Sequence, residues 1–251
     1  MLSSLLRIVL TGCFFVSLIG GVYLLDEQGM FEIESIQVHV DIDDSAVRMY
    51  APYLQEVEEV LNELMGQSLW RLSVDHWTSL VSDLQWVERA QLRRRWPGEL
   101  EVELVVKNVE LLIVGVHGAE LFPVLGDGAV LEPIETGRAP DAPLLRGEIF
   151  LEDELLRSRA LALLRELPQT GSFSRVQVSE LGYHPIQGFW VQMVQGGVRV
   201  QLGQDKLGAR TKRVAQVLDY LEAHSFKGRV IDANFSKKVL VRLRKGLLNS
   251  N

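Results

Sequence analysis

At 251 residues, with 47% hydrophobic and 24% charged side chains, the chain has the make-up of one or two folded domains, and global disorder is excluded. A net charge of −7 argues against a dedicated nucleic-acid binder, which needs clustered Lys and Arg for phosphate contacts. The single cysteine, Cys13, excludes an intramolecular disulfide framework and a thiolate zinc site, and five scattered histidines show no ligand spacing.

The first segment sets the compartment. From Ile8 to Leu25 no charge occurs, and Leu5 and Leu6 extend the apolar run toward the ~20 residues that cross a bilayer. Arg7 precedes the run and Asp26 and Glu27 follow it, so the positive-inside rule gives a cytoplasmic tail (1–7), a transmembrane helix (8–25) and an exported remainder. A cleaved signal peptide wants a shorter core and small residues at the cleavage site, whereas Val22-Tyr23-Leu24-Leu25 is bulky. A buried core helix is the third reading, and the abrupt end of the run at Asp26 argues against it. The expectation is an uncleaved single-pass anchor.

The exported part opens with alternation from Phe31 to Val40, broken by one slip, which predicts a strand. Val47, Tyr50, Leu54, Val57, Leu61 and Leu64 then recur at helical steps, predicting a helix over Ala46–Met65 that Gly66 ends. A shorter helix carrying Trp77, Leu80, Val81 and Leu84 follows, capped by Ser73 or Asp75; Trp77 is read as core. Val87, Ala90 and Leu92, then Leu100, Val102, Leu104 and Val106, flank Pro97-Gly98 as a hairpin with one buried face. Pro97 at the second position and Gly98 at the third predict a type II turn that is structural and not a binding loop. Arg93, Arg94 and Arg95 face Glu99, Glu101 and Glu103 across this hairpin, so cross-strand pairing explains them better than nucleic acid or lipid. The order is β-α-α-β-β over 31–107.

Beyond it, short strands surround His117-Gly118, and Asp127-Gly128 makes a turn. A Pro- and Gly-containing loop spans Pro133–Pro143. A helix over Glu152–Leu167 leads into three strands, Ser174–Gly182, Gly188–Val194 and Gly197–Leu202. A helix over Lys206–His224 and two last strands, Arg229–Asn234 and Lys238–Arg244, complete the pattern. The expectation for 108–245 is an antiparallel β domain with two helices, followed by a tail (246–251). The fold class is α+β.

No nucleophile elbow, Walker A, dinucleotide fingerprint or H-E-x-x-H is present. Asp232 lacks a partner carboxylate or histidine nearby, and Glu152, Asp153 and Glu154 favour the start of a helix over a metal cluster. The expectation is a non-enzymatic scaffold or binding protein with no cofactor, metal or small-molecule substrate.

Particular stretches resemble the bacterial cell-division family FtsQ/DivIB. Trp86-Val87-Glu88-Arg89-Ala90-Gln91-Leu92-Arg93-Arg94-Arg95-Trp96-Pro97-Gly98-Glu99-Leu100 is similar to that family's W-V-x-x-A-x-V-x-R-x-W-P-x-x-L. Leu125–Leu131, Pro143–Gly147, Gly197–Gly203 with Arg210 and Arg213, and Ile231–Phe235 resemble its later motifs in order. The sequence departs from the family at Lys107–Glu110, where an acidic-x-x-P-x-A motif is usual, and at Asn234, Lys237-Lys238 and Leu243. The resemblance implies a POTRA domain over 31–107 and an FtsQ-like β domain over 108–245. It further implies an inner-membrane divisome scaffold at the septum, linking early and late division proteins. The C-terminal strand would accept an FtsB/FtsL-like pair by β-strand addition, with Phe235, Lys237, Val239, Val241, Leu243, Arg210 and Arg213 as partner-binding residues. Physical chemistry points the same way: Val239-Leu240-Val241-Arg242-Leu243, flanked by Lys237, Lys238, Arg244 and Lys245, is either a template for another strand or an edge guarded by charge. Rival readings are a POTRA-containing envelope-biogenesis or secretion partner, which usually has several POTRA copies or a barrel, and an anchored cell-wall enzyme, which lacks its motif here.

Overall fold

A computed structural model describes residues 2–116, 118, 120–226, 228–235 and 238–243. The chain divides into two compact units, Met1–Lys107 and Asn108–Asn251.

The first unit begins with α1, a 26-residue helix over Leu2–Glu27. Its Leu10–Glu27 stretch is long and apolar enough to cross a membrane. Phe14, Phe15, Val16 and Ile19 are exposed, so this apolar surface is not used within the unit. The expected strand at Phe31 starts only at Ser35: β1 covers Ser35–Asp41. The slip in alternation marks a real break, because Phe31–Ile33 instead bonds to the 67–69 segment, with Ile33 N–H donating to Gln67 O and Leu69 N–H to Phe31 O.

Helix α2 (Val47–Asn62) buries Tyr50, Val57 and Leu61 of the expected stripe, but Val47 is exposed and Leu54 half-buried, while Met49, outside that stripe, is buried. Helix α3 (Val74–Ser82) follows Ser73, whose side chain makes no capping bond. Tyr50, Tyr53 and Trp86 form an aromatic cluster. Inside it the Tyr50 hydroxyl donates to Lys107 O at 2.5 Å. Burial, with a smaller contribution from Tyr53, pushes that phenol well above its ordinary range.

β2 (Val87–Arg95) and β3 (Glu99–Val106) form the expected hairpin, and β1 joins β3 in parallel to give the order β1-β3-β2. Every second residue of β3 is buried, which is the period-2 pattern read from the sequence. Arg93 pairs with Glu103 at 3.1 Å and Arg95 with Glu101 at 2.9 Å, as the charge pattern predicts. The turn differs from expectation. The Trp96–Pro97 peptide is cis, and Gly98 is not among the positive-φ glycines, so this is not a type II turn. Gly98 is required for another reason: a Cβ there would lie 2.7 Å from the Glu32 carbonyl oxygen.

The second unit holds β4 (Val109–Val114), β5 (Glu120–Leu125), β6 (Ile134–Glu135) and β7 (Leu144–Arg146). Then come α4 (Ile149–Glu152), α5 (Glu154–Glu166), β8 (Val178–His184), β9 (Gly188–Met193) and β10 (Arg199–Gly203). Helix α6 (Leu207–Ala223), β11 (Gly228–Asp232) and β12 (Leu240–Leu243) complete it. The nine-stranded sheet runs β12-β11-β10-β9-β8-β7-β4-β5-β6.

This sheet is mixed where the sequence reading expected an antiparallel one. β4–β7, β7–β8 and β10–β11 are parallel pairs. The reason lies in the connections. Parallel neighbours need a crossover, and both helical segments supply one, α4–α5 between β7 and β8 and α6 between β10 and β11. The helices share one core with the sheet, built from Leu156, Leu163, Leu164, Val214 and Leu221 against Leu145, Leu181, Val191, Val200 and Ile231. The single helix expected from Glu152 is split at Asp153, whose carboxylate accepts from Leu156 N–H and caps α5. Buried Arg157 donates to the Gly128 and Phe150 carbonyls at 2.8 and 2.7 Å, which fixes the Asp127-Gly128 turn on α5.

Candidate partner-binding edge

β12 exists because α6 carries the chain back across the sheet. After α6, β11 lies parallel to β10, and β12 then returns antiparallel with Asp232 opposite Leu240, Ile231 opposite Val241 and Val230 opposite Arg242. Among the described residues β12 pairs with β11 alone, so its other side is a sheet edge. Half of its main-chain polar groups face that side.

The side chains alternate. Val239 and Val241 are half-buried against the core, while Leu240, Arg242 and Leu243 are exposed. The pairing shifts register between Gly228 and Val230, opposite Leu243 and Arg242, so Leu243 does not continue the inward face of Val239 and Val241. Lys237 lies outside the described residues.

The link from β11 to β12 is held from α6. Arg210 donates through Nη1 to Leu202 O and through Nη2 to Asn234 O, the second at 3.3 Å. Arg213 Nη1 donates to Phe235 O at 3.4 Å. Asn234 N–H donates to the Asp232 carboxylate at 3.0 Å, so Asp232 serves the turn. Phe235 is 41% exposed, and Lys238 Nζ stands 5.3 Å from its ring centroid. The structure therefore groups Arg210, Arg213 and Phe235 at the entry to β12, with both arginines committed to main-chain carbonyls.

Two contributors escaped the sequence reading. Gly203, at φ +82°, leaves no room for a Cβ, which would sit 2.1 Å from Arg210 Nη1 and 2.3 Å from Asn234 Oδ1. Its only signal was its place at the end of the Gly197–Gly203 motif. Leu240 points outward beside the free edge, a direction fixed by register and invisible to composition.

The edge offers main-chain donors and acceptors, two exposed leucines and an exposed phenylalanine ring, which suits an extended polypeptide. Among the described residues no group of three or more His, Cys, Asp or Glu is placed to hold a metal. An open cleft of about 820 Å³ elsewhere in this unit is floored by Met193, Val198, Leu218 and Phe226. Its Asp219 carboxylate is taken up by the amide and hydroxyl of Ser172, at 3.2 and 2.7 Å.

A β-α-α-β-β unit behind a long apolar helix, followed by a large mixed sheet with a short terminal edge strand, defines a POTRA-containing protein of the α+β class. Residues 54–105 match the family model described as POTRA domain, FtsQ-type, and residues 113–234 match that of Cell division protein FtsQ/DivIB, C-terminal. The chain belongs to the FtsQ/DivIB family of cell-division proteins.

It is similar to the protein named Cell division protein FtsQ of Geobacter sp. (strain M21), 27% identical over 70% of this chain and 66% of that one. The protein of the same name from Geotalea daltonii is 23% identical over 75% of this chain and 70% of its own length. That of Anaeromyxobacter sp. (strain K) is 29% identical over 70% and 61%. The chain thus spans about two thirds of the length of these relatives.

Proposed function

We propose that this protein is a non-enzymatic divisome scaffold. It is anchored once in the inner membrane by α1, with residues 1–7 in the cytoplasm and everything after α1 in the periplasm. There it links early and late division proteins at the septum and accepts an FtsB/FtsL-like pair by strand addition along β12. The observation that carries this reading is the placement of β12: a four-residue strand at the edge of a nine-stranded sheet, its turn clamped from α6 and its outer side unpaired among the described residues. Such an edge binds through main-chain hydrogen bonds, with Phe235, Leu240 and Leu243 adding apolar contact. Val239 and Val241 hold the strand to the core while Arg210 and Arg213 set its entry. Lys237 adds positive charge in the sequence just before it.

Site-specific photo-crosslinking in cells tests the reading. A photoreactive residue at Leu240 or Arg242 is expected to capture an FtsB/FtsL-like chain, and one at Arg138, far along the sheet order from β12, is not. Capture confined to positions in the first unit would overturn it. A reporter fused after Asn251 is expected to be active only when exported; cytoplasmic activity would overturn the topology.

A further inference from the structure

Helix α1 ends on a carboxylate that its own dipole disfavours. Asp26 sits in the last turn, at the negative end, yet its side chain is only 5% exposed. Arg71 Nε lies 2.8 Å from it, and the Ser68 hydroxyl donates to it. The Arg71 guanidinium also stands 5.4 Å from the ring centroid of Tyr23, one turn earlier. The 68–71 turn is therefore clasped to the final two turns of α1.

The same turn presents Trp70. Its ring lies 5.8 Å from that of Trp96, which lies 5.3 Å from that of Phe31. Trp70 and Trp96 are 59% and 50% exposed, and Met30, which precedes Phe31 in the chain, is exposed too. This platform is fixed: Leu69 N–H donates to Phe31 O at 2.7 Å, and Arg94 Nε donates to Leu69 O at 2.9 Å. Exposed indoles gathered in one place are uncommon on a water-facing surface.

We propose that Trp70 and Trp96, with Phe31 and Met30, seat the first unit in the outer headgroup layer of the bilayer that α1 crosses. The occupant is lipid, because the turn that carries Trp70 is clasped to the end of α1, whose apolar side chains are exposed. Tyr23 marks the outer end of the span, Arg71 lies on its ring, and Trp70 is the next residue. Indoles favour that layer, where the ring is sheltered and the N–H stays wet. The pairing of buried Asp26 with the exposed Arg71 joins the helix end to this platform and sets its height. The proposal rests on α1 being a membrane anchor.

The test uses the full chain reconstituted in phosphatidylethanolamine–phosphatidylglycerol vesicles. All five tryptophans (Trp70, Trp77, Trp86, Trp96, Trp190) lie outside α1, so their emission reports nothing from the anchor itself. Lipids brominated near the headgroup are expected to quench the wild type, and W70F/W96F is expected to lose nearly all of that quenching. The single variants W70F and W96F should each lose part of it, with unchanged far-UV circular dichroism. Resistance to alkaline carbonate reads the anchor separately. A carbonate-resistant chain whose tryptophans are not quenched overturns the seat and leaves the anchor standing. Quenching that persists in W70F/W96F also overturns it. So does iodide access to both indoles that disappears only when an FtsB/FtsL-like pair is added, which would make the patch a protein interface. Release by carbonate overturns the anchor and the seat together.

Discussion

Arg210, on α6, donates to the carbonyl of Asn234, 24 residues further along and just past the end of β11. The same guanidinium reaches the Leu202 carbonyl on β10, so one side chain ties a helix, a central strand and the turn into the edge strand. Arg210→Ala removes both bonds and leaves the part-buried Leu202 acceptor unmet. An unmet buried acceptor costs about 1–3 kcal/mol. A stability loss near the lower end of that range is expected in urea unfolding of the full chain in detergent. Hydrogen exchange should quicken first in β11 and β12. Unchanged exchange there would show that the clamp does not hold the edge.

A proline scan separates the two sides of β12. In an antiparallel ladder successive N–H groups point to opposite sides. Of Val241→Pro and Arg242→Pro, one therefore removes a bond to β11 and the other removes an outward donor. One variant is expected to weaken the sheet. Its neighbour should keep the wild-type circular dichroism and lose affinity for an FtsB/FtsL-like pair. Two folded variants that both bind like wild type would exclude strand addition at this edge. Phe235→Ala should weaken binding with the sheet intact.

Gly98→Ala tests a close approach. The added methyl would meet the Glu32 carbonyl at 2.7 Å, and Gly98 O accepts from Glu34 N–H at 2.7 Å and Ser35 N–H at 3.3 Å, where β1 begins. Overpacking of this kind costs about 1–3 kcal/mol. Thermal unfolding of the first unit should shift down, and partner affinity at β12 should not change. An unaltered midpoint would mean the backbone yields at no cost.

Acid unfolding reports on the hairpin charges. The hydrogen bond from Arg95 holds the Glu101 carboxyl below its ordinary 4.5, against a smaller opposing effect of burial. A folded-state value below the unfolded one means this contribution is complete above pH 4.5 and fades as pH falls through the lowered value. Glu101→Gln is expected to flatten the loss of stability on that acid side and to leave its slope at neutral pH alone. Parallel pH profiles for the two proteins would show the pair to be inert. The pair is exposed, so the effect is small and should shrink in high salt.

The strands of that hairpin were legible in the sequence because what pairs them is local, whereas its turn was not, since Gly98 is fixed by the distant Glu32 carbonyl. Alternation in Glu99–Val106 names the buried face, and the opposed Arg and Glu runs fix the pairing. The middle of the α2 stripe, Tyr50, Val57 and Leu61, was legible for the same reason. Pairing between distant strands was not. Nothing in Leu144–Arg146 or Gly228–Asp232 states which neighbour each will take, because hydrophobic period encodes a face and not a partner. Asp153 breaks a helix that periodicity alone would run through, since capping competes with continuation only once α4 has turned the chain. At the edge, the strand around Val241 could be found from pattern, and Phe235 was singled out only by the family resemblance. The roles of Arg210, Arg213 and Gly203 could not, because they depend on how α6 crosses the sheet.

Among the described residues the two edges of the large sheet are unequal. At one end stands β12, with four residues; at the other stands β6, with two, Ile134 and Glu135. A two-residue strand offers too few main-chain bonds to hold another chain. A sheet that can be lengthened on one side only terminates growth where a two-sided one would propagate it. Binding along β12 should therefore saturate at one added strand per chain. Light scattering of the complex should give a fixed mass as concentration rises, so that the number of strands captured is counted by the number of these chains present.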